Sequence, residues 1–260
     1  MPSREGAHRW ARRNALQALL TLPAGAAIGA TPALAAGPAR ARAAASGAWD
    51  RPRRRGFTTD HLDKLTEPVL DALAATGANL ARVGVRCIPD GAGYALQGLE
   101  RLPAMAAHGQ RRGVGLVLAG FFDEGQPQRL WADGASAQVS FIAQWRALAQ
   151  VVQRHPAVLG LDLLNEPLPP DPARLDLAQR GWTALVRRAA SAIRAAGCDR
   201  PLVIQPVQGG MPGGLEGQPD WGLPHAITSI HFYVPHVLTH QGVAPAWPRG
   251  AVYPSREALA

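Results

Sequence analysis

Three short segments of this 260-residue chain bring together residue types suited to chemistry. The first is Leu161-Asp162-Leu163-Leu164-Asn165-Glu166-Pro167. An apolar run ends in an amide and a carboxylate, and Pro167 breaks it at once. A carboxyl at the end of a buried strand is partly desolvated. Its pKa is then expected above the ordinary carboxylate value, which suits a general acid at neutral pH. The rival reading is a polar strand-to-loop transition, because Asn-Glu-Pro alone is short enough to recur by chance. The second segment is Gly77-Ala78-Asn79-Leu80-Ala81-Arg82-Val83. Arg82 falls within an apolar run, and a buried arginine needs a carboxylate or a dense hydrogen-bond network. A structural salt bridge is the alternative. The third is Ser229-Ile230-His231-Phe232-Tyr233-Val234-Pro235, followed by Leu238-Thr239-His240-Gln241-Gly242. His231 and Tyr233 alternate with apolar residues, so on a strand they share one side. There they can hydrogen-bond a carboxylate and set its protonation. The spacing of His231, His236 and His240 matches no metal-ligand signature, and no metal or other cofactor is expected.

Something must hold these groups together. Short apolar runs at 56–59, 81–85, 114–119, 158–164, 202–205 and 227–232 predict strands. Amphipathic stretches at 65–76, 99–112, 137–154 and 175–196 predict helices between them. His155-Pro156 stops the third helix, and Gly197 fits the C-terminal cap of the fourth. Strands alternating with helices imply βαβ units and a parallel sheet buried on both faces. No GxGxxG opens a helix and no GxxxxGK[ST] is present, so a nucleotide-binding sheet has no support. Polar residues gather at the C-terminal ends of the strands. The expected fold is therefore α/β, a (β/α)8 TIM-barrel type with about six of its eight βα units.

Charge narrows the partners. The formal net charge is +8. Residues 1–55 hold ten arginines and two acids, whereas 56–260 hold 17 basic and 17 acidic residues. The body therefore has no polyanion footprint, and no nucleic-acid partner is expected. The leader reads as an export signal over 1–36. Arg9, Arg12 and Arg13 form a positive start, an apolar run follows, and Ala33-Leu34-Ala35 offers a cleavage site. That run is too short to span a bilayer, so no membrane association is expected once it is removed. Arg12-Arg13 leaves the twin-arginine and general secretory routes both open. Residues 37–55, rich in Ala, Arg and Pro, read as a linker, and 56–260 as the barrel. The expected location is periplasmic or extracellular. Cys87 and Cys198 fall toward opposite ends of the sheet and are expected to stay unbridged.

In combination the three segments resemble glycoside hydrolase family 5, specifically its endoglucanase-like (cellulase) members. The resemblance runs from about Phe57 to Trp247. Asn79 and Arg82 meet the family's Asn-x-x-Arg. Asn165, Glu166 and Pro167 meet its strand-four Asn-Glu-Pro, and His231 and Tyr233 its His-x-Tyr. Thr239-His240-Gln241-Gly242 and Trp247 resemble the loop that trails this strand in bacterial endoglucanases. The resemblance implies hydrolysis of O-glycosidic bonds in a β-linked polysaccharide, cellulose-like β-glucan favoured, by a retaining two-glutamate mechanism. It implies Glu166 as acid/base and Asn165 as the partner of the sugar 2-OH. Arg82 and Tyr233 would hold the nucleophile ionised, with His231 beside both carboxylates.

Two departures from the pattern stand out. The run at 117–122 lacks the histidine that often ends the third strand of related cellulases. The nucleophile should be a glutamate closing a seventh apolar strand, yet after Glu166 the only glutamates are Glu216 and Glu257. Glu216 sits in a Gly/Pro-rich loop and Glu257 at a predicted helix start. The nucleophile and the last two βα units are thus expected to be missing, and this chain to be inactive. The competing class is a non-catalytic carbohydrate-binding barrel remnant with Trp131, Trp221 and Trp247 as sugar platforms. Tryptophans at such positions also serve as core residues.

Overall fold

The computed structural model describes residues 53–91, 93–122, 130–131, 135–169 and 171–242. The export signal over 1–36, most of the linker, Trp247 and Glu257 lie outside the described residues.

Among the described residues, six parallel strands form the sheet in the order in which they occur along the chain. They are β1 (Gly56–His61), β2 (Leu80–Asp90), β4 (Gly115–Phe122), β5 (Val158–Asp162), β6 (Leu202–Ile204) and β7 (Ala226–Thr228). A short strand, β3 (Gly93–Leu96), folds back antiparallel on the end of β2. The helices between them are α1 (Glu67–Ala75), α2 (Leu102–Arg112), α3 (Ala135–Val152) and α4 (Leu175–Ala195). A single turn of helix, α5 (His236–Thr239), follows β7. The architecture is a partial α/β barrel of six parallel strands with helices outside.

Local sequence explains the boundaries. α1 and α2 each begin with a proline in the first two positions, where its missing N–H costs nothing. α4 is capped at Ala196 and followed by Gly197, whose φ of +82° is open to glycine. β4 and β5 are buried along almost their whole length, and Trp145 and Trp182 are fully buried beneath the sheet. Gly120 permits a close approach at the top of β4. A Cβ there would stand 2.8 Å from the Leu163 carbonyl oxygen. The Gly120 carbonyl instead accepts from the Asn165 N–H at 2.8 Å, which fixes the residue before Glu166.

Two expectations need correction. The second strand is longer than residues 81–85 because it runs on to Asp90, which pairs with Gly93 across a hairpin whose Gly91 sits at φ +60°. Tyr94 in β3 is buried and stacks edge-on against Phe122, and its N–H donates to Ser140 Oγ on α3. The last strand is shorter than 227–232, because its ladder with β6 ends where Gln205-Pro206 leaves the sheet. Residues 229–235 then run as irregular backbone, tied by the His231 N–H to the Gly210 carbonyl at 2.8 Å.

Both cysteines are buried, and neither forms a disulfide. Cys87 lies within β2 opposite Phe122, near the strand C-terminal ends. Cys198 lies between α4 and β6, at the other end, where burial pushes its thiol up. Since the thiolate is the reactive form, both should alkylate slowly in the native protein and fully on unfolding without reductant. A need for reductant before labelling the unfolded chain would contradict this.

Candidate active site

The C-terminal ends of the strands surround a cleft of about 490 Å³ lined by Thr58, Arg82, Phe121, Asn165, Glu166, Ser229, His231, Phe232 and Tyr233. All five residues expected to carry the chemistry, Glu166, Asn165, Arg82, His231 and Tyr233, meet here.

Glu166 stands at the centre. Its φ of +49° lies in the left-handed region, which is uncommon for a residue with a side chain and costs about 1–3 kcal/mol. Surrounding bonds over-determine that conformation. The Glu166 N–H donates to Gln205 Oε1 at 2.9 Å, and the preceding peptide is held by Gly120. On the side chain, His231 Nδ1 lies 2.7 Å from Oε1 and the Tyr233 hydroxyl donates to the same oxygen at 3.2 Å. An ionised carboxylate only accepts, so the proton between it and His231 belongs to Nδ1. The rings of His231 and Tyr233 meet edge to face, 5.8 Å apart. The two residues thus share a side as their alternation suggested, although the backbone carrying them is not a strand.

Beneath Glu166 lies a buried polar layer. Arg82 Nε donates to Asp162 Oδ2 at 2.8 Å, and Arg82 Nη2 lies 2.7 Å from the same oxygen. Nη2 also donates to Asn165 Oδ1 at 3.0 Å. Gln205 Nε2 donates to both oxygens of Asp162, at 3.1 and 3.0 Å. Asp162 and Gln205 are wholly buried. Burial pushes the Asp162 carboxyl up, and Arg82 and Gln205 oppose that shift. With every neighbour donating, Asp162 is placed as an acceptor. With Arg82 on its Oδ1, the Asn165 amide is left with its N–H groups to donate.

The electrostatics of Glu166 run against the sequence expectation. Its carboxyl is held below the ordinary value, chiefly by the hydrogen bond from His231 and against desolvation. Burial, then the adjacent carboxylate, hold the Tyr233 phenol above its ordinary value, so it remains a donor. A depressed carboxyl stabilises the fold above its unfolded pKa, and that stability fades as pH falls through its folded pKa. Replacing His231 with alanine should therefore raise the Glu166 midpoint toward 4.5 and remove part of the protein's stability above pH 4.5 but not at lower pH. A carboxyl-carbon NMR titration of both proteins checks this, and an unchanged midpoint would refute it.

Other expected site residues lie elsewhere. Asn79 sits at the foot of the sheet, where its side chain accepts from the Arg55 N–H and donates to the Arg53 carbonyl. Trp221 is 7% exposed, with its indole N–H donating to Thr228 Oγ1 at 3.0 Å. Trp131 packs against the core beside Trp182. Neither lines the cleft, so the expectation of Trp131 and Trp221 as sugar platforms is corrected. Their apolar faces are occupied by the core. The aromatic faces in the cleft belong to Phe121, Phe232 and Tyr233, and Phe232 is 69% exposed. Glu216 also lies away from the cleft, and its carbonyl accepts from Gln179. At the end of β4, where a histidine was missed, Phe121 lies under the Arg82 guanidinium at 5.3 Å, and His61 from β1 meets its ring edge-on. Among the described residues no group of three or more His, Cys, Asp or Glu could hold a metal, and no helix is long and apolar enough to cross a membrane.

The family model described as cellulase, glycosyl hydrolase family 5, matches residues 49–253. The chain belongs to this family. Solved structures agree on the fold. The endoglucanase Cel5A of Thermotoga maritima superposes with a TM-score of 0.57 at 22% identity, over 72% of this chain and 58% of that one. A structure of Cel5A with cellobiose gives 0.61 at 21%, over 78% and 68%. The cellulose synthase subunit Z of Clostridioides difficile gives 0.63 at 15%, over 78% and 71%. The cellulase-family chain thus spans 58% of the length of the first of these. No curated protein matches it significantly in sequence.

Proposed function

We propose that this family 5 chain carries the acid/base half of a retaining glycosidase site acting on a β-linked polysaccharide, with cellulose-like β-glucan favoured. The observation that carries this reading is the convergence of His231 and Tyr233 on the partly exposed carboxylate of Glu166 in an open cleft. In the first half-reaction the Glu166 carboxylic acid gives its proton to the glycosidic oxygen as the bond to C1 breaks. A second carboxylate takes C1 as an ester. In the second half-reaction water replaces that ester, and Glu166 takes the proton from the water. Asn165 donates to the sugar 2-OH. Among the described residues, Glu166 is the only glutamate lining the cleft, and Asp162 is committed to Arg82 and Gln205. On this reading the nucleophile comes from outside the described residues. An ionised nucleophile about 5–5.5 Å away would push the Glu166 carboxyl back up by like-charge repulsion.

Two further considerations bear on substrate and location. Cel5A of Thermotoga maritima has been solved with cellobiose and with mannotriose, so glucan and mannan oligosaccharides are both candidate ligands. A polymeric substrate lies outside the cell, which fits reading residues 1–36 as an export signal.

A second reading, carbohydrate binding without catalysis, is favoured by the exposed aromatic face of Phe232 in the cleft. Amide NMR with cellotetraose and mannotetraose tests what the readings share. Shifts should cluster on Asn165, Glu166, His231, Phe232 and Tyr233. No saturable shifts with either sugar would sink both readings.

A further inference from the structure

The buried amide of Gln205 touches two residues that the glycosidase reading uses in different ways. Its Oε1 accepts from the Glu166 N–H at 2.9 Å, and its Nε2 donates to both oxygens of Asp162. An amide has one accepting end and one donating end. Asp162, held as an acceptor by Arg82, selects the donating end. The accepting end is thereby turned toward Glu166. That contact lands on the peptide whose residue sits at φ +49°. Gln205 is itself anchored: its carbonyl accepts from the buried Trp182 indole N–H at 2.8 Å. A Cβ on Gly210 would stand 3.0 Å from Gln205 Oε1. The same glycine's carbonyl holds the His231 backbone.

We infer that Gln205 is a positioning residue for the Glu166 general acid/base. It transmits the orientation of the Arg82–Asp162 pair to the backbone of Glu166 and keeps the carboxylate against His231 and Tyr233. It touches no substrate. The inference rests on the reading of Glu166 as acid/base, but the geometry it predicts can be measured without turnover.

Three chains are compared by NMR: the unaltered protein, Gln205→Leu and Gln205→Glu. In Gln205→Leu the Glu166 N–H loses its acceptor. Its amide proton should move upfield and its hydrogen exchange should quicken about tenfold, the scale of one lost buried hydrogen bond. The Glu166 carboxyl midpoint should rise toward 4.5 as the side chain leaves His231. Gln205→Glu supplies the control that a packing role would not pass. A protonated carboxyl also has a donating O–H and an accepting C=O. Beside buried Asp162 the introduced acid keeps its proton to raised pH. The Glu166 amide and midpoint should therefore match the unaltered protein at acid pH. The amide should then shift as pH rises and the introduced group ionises.

Unchanged Glu166 resonances in folded Gln205→Leu would overturn the inference. So would a folded Gln205→Glu protein whose Glu166 amide and midpoint differ from those of the unaltered protein even at acid pH, which decides the matter even if Gln205→Leu fails to fold. A failure to bind oligosaccharide in all three proteins counts against the glycosidase reading instead, and these resonances still decide the role of Gln205. If the nucleophile is supplied, Gln205→Leu should lower kcat about a hundredfold, the scale expected for a slightly misplaced catalytic group, with KM little changed.

Discussion

The 260-residue chain should hydrolyse β-glucan roughly a million-fold more slowly than a retaining glycosidase with both carboxylates, the scale on which one member of a catalytic unit is lost. Binding should survive, because the cleft, Asn165 and the aromatic faces remain. Chemical rescue separates a silent catalyst from a binding module. A small anion such as azide can take C1 of an aryl β-cellobioside from the face opposite the leaving group. The aryl oxygen departs with the bonding pair, and the product is the α-glycosyl azide. With a poor leaving group the oxygen needs the Glu166 proton, so Glu166→Gln should abolish the rescued rate. With dinitrophenolate, which leaves unaided, Glu166→Gln should matter little. Fast hydrolysis without azide would mean that a substitute nucleophile operates. No rescue of the unaltered chain, alongside saturable oligosaccharide binding, would favour carbohydrate binding alone.

Arg82→Met should destabilise the fold by about 3–5 kcal/mol, the cost of leaving a buried charge without its partner. That is a large share of a total stability of about 5–15 kcal/mol. Asp162 is wholly buried, and a methionine side chain offers it no donor. The deficit should depend on pH with a defined sign. Without Arg82 the folded pKa of Asp162 rises further above its unfolded value. The deficit is then full above that raised pKa and fades as pH falls to the folded pKa that Asp162 has with Arg82 present, itself above the ordinary 3.8. Adding Asp162→Leu should recover part of the loss, leaving the cost of an unmatched Gln205 amide at about 1–3 kcal/mol. Urea unfolding of the three proteins at pH 7 and pH 4 measures these terms. A loss below about 1 kcal/mol for Arg82→Met would mean that Asp162 is not an ionised partner.

The mouth of the sheet was legible because an apolar run that ends in Asn-Glu-Pro must deliver those groups to a strand end. Arg82, His231 and Tyr233 were legible for the same reason. What they touch was not, since partners depend on the register between strands. Arg82 was expected to serve a nucleophile, and the register of β2, β4 and β5 gives it Asp162. Gln205 carried a usable signal: it is a polar residue closing an apolar strand at the same end of the sheet as Glu166. The hairpin carried a signal in Gly91, whose φ of +60° suits glycine at a tight turn. The direction of the carboxyl shift was not legible, because the balance between desolvation and the His231 and Tyr233 donors depends on their geometry. His231 and Tyr233 reach Glu166 from 65 and 67 residues away, and their hydrogen bonds outweigh its burial. Trp131 and Trp221 were misplaced because residue type alone does not distinguish an aromatic wall from core packing.

The strand order β1-β2-β4-β5-β6-β7 follows the chain, interrupted only by the hairpin. During synthesis each emerging strand therefore finds its landing edge already present, one unit behind it. No later segment has to thread between two earlier ones. Assembly can proceed stepwise from the N-terminus on the ribosome, at the pace at which residues appear. Glu166 and Gln205 are then joined as β6 docks. The cleft is finished only when the segment after β7 delivers His231 and Tyr233, so the chemical environment of the carboxylate is among the last features of the described fold to mature.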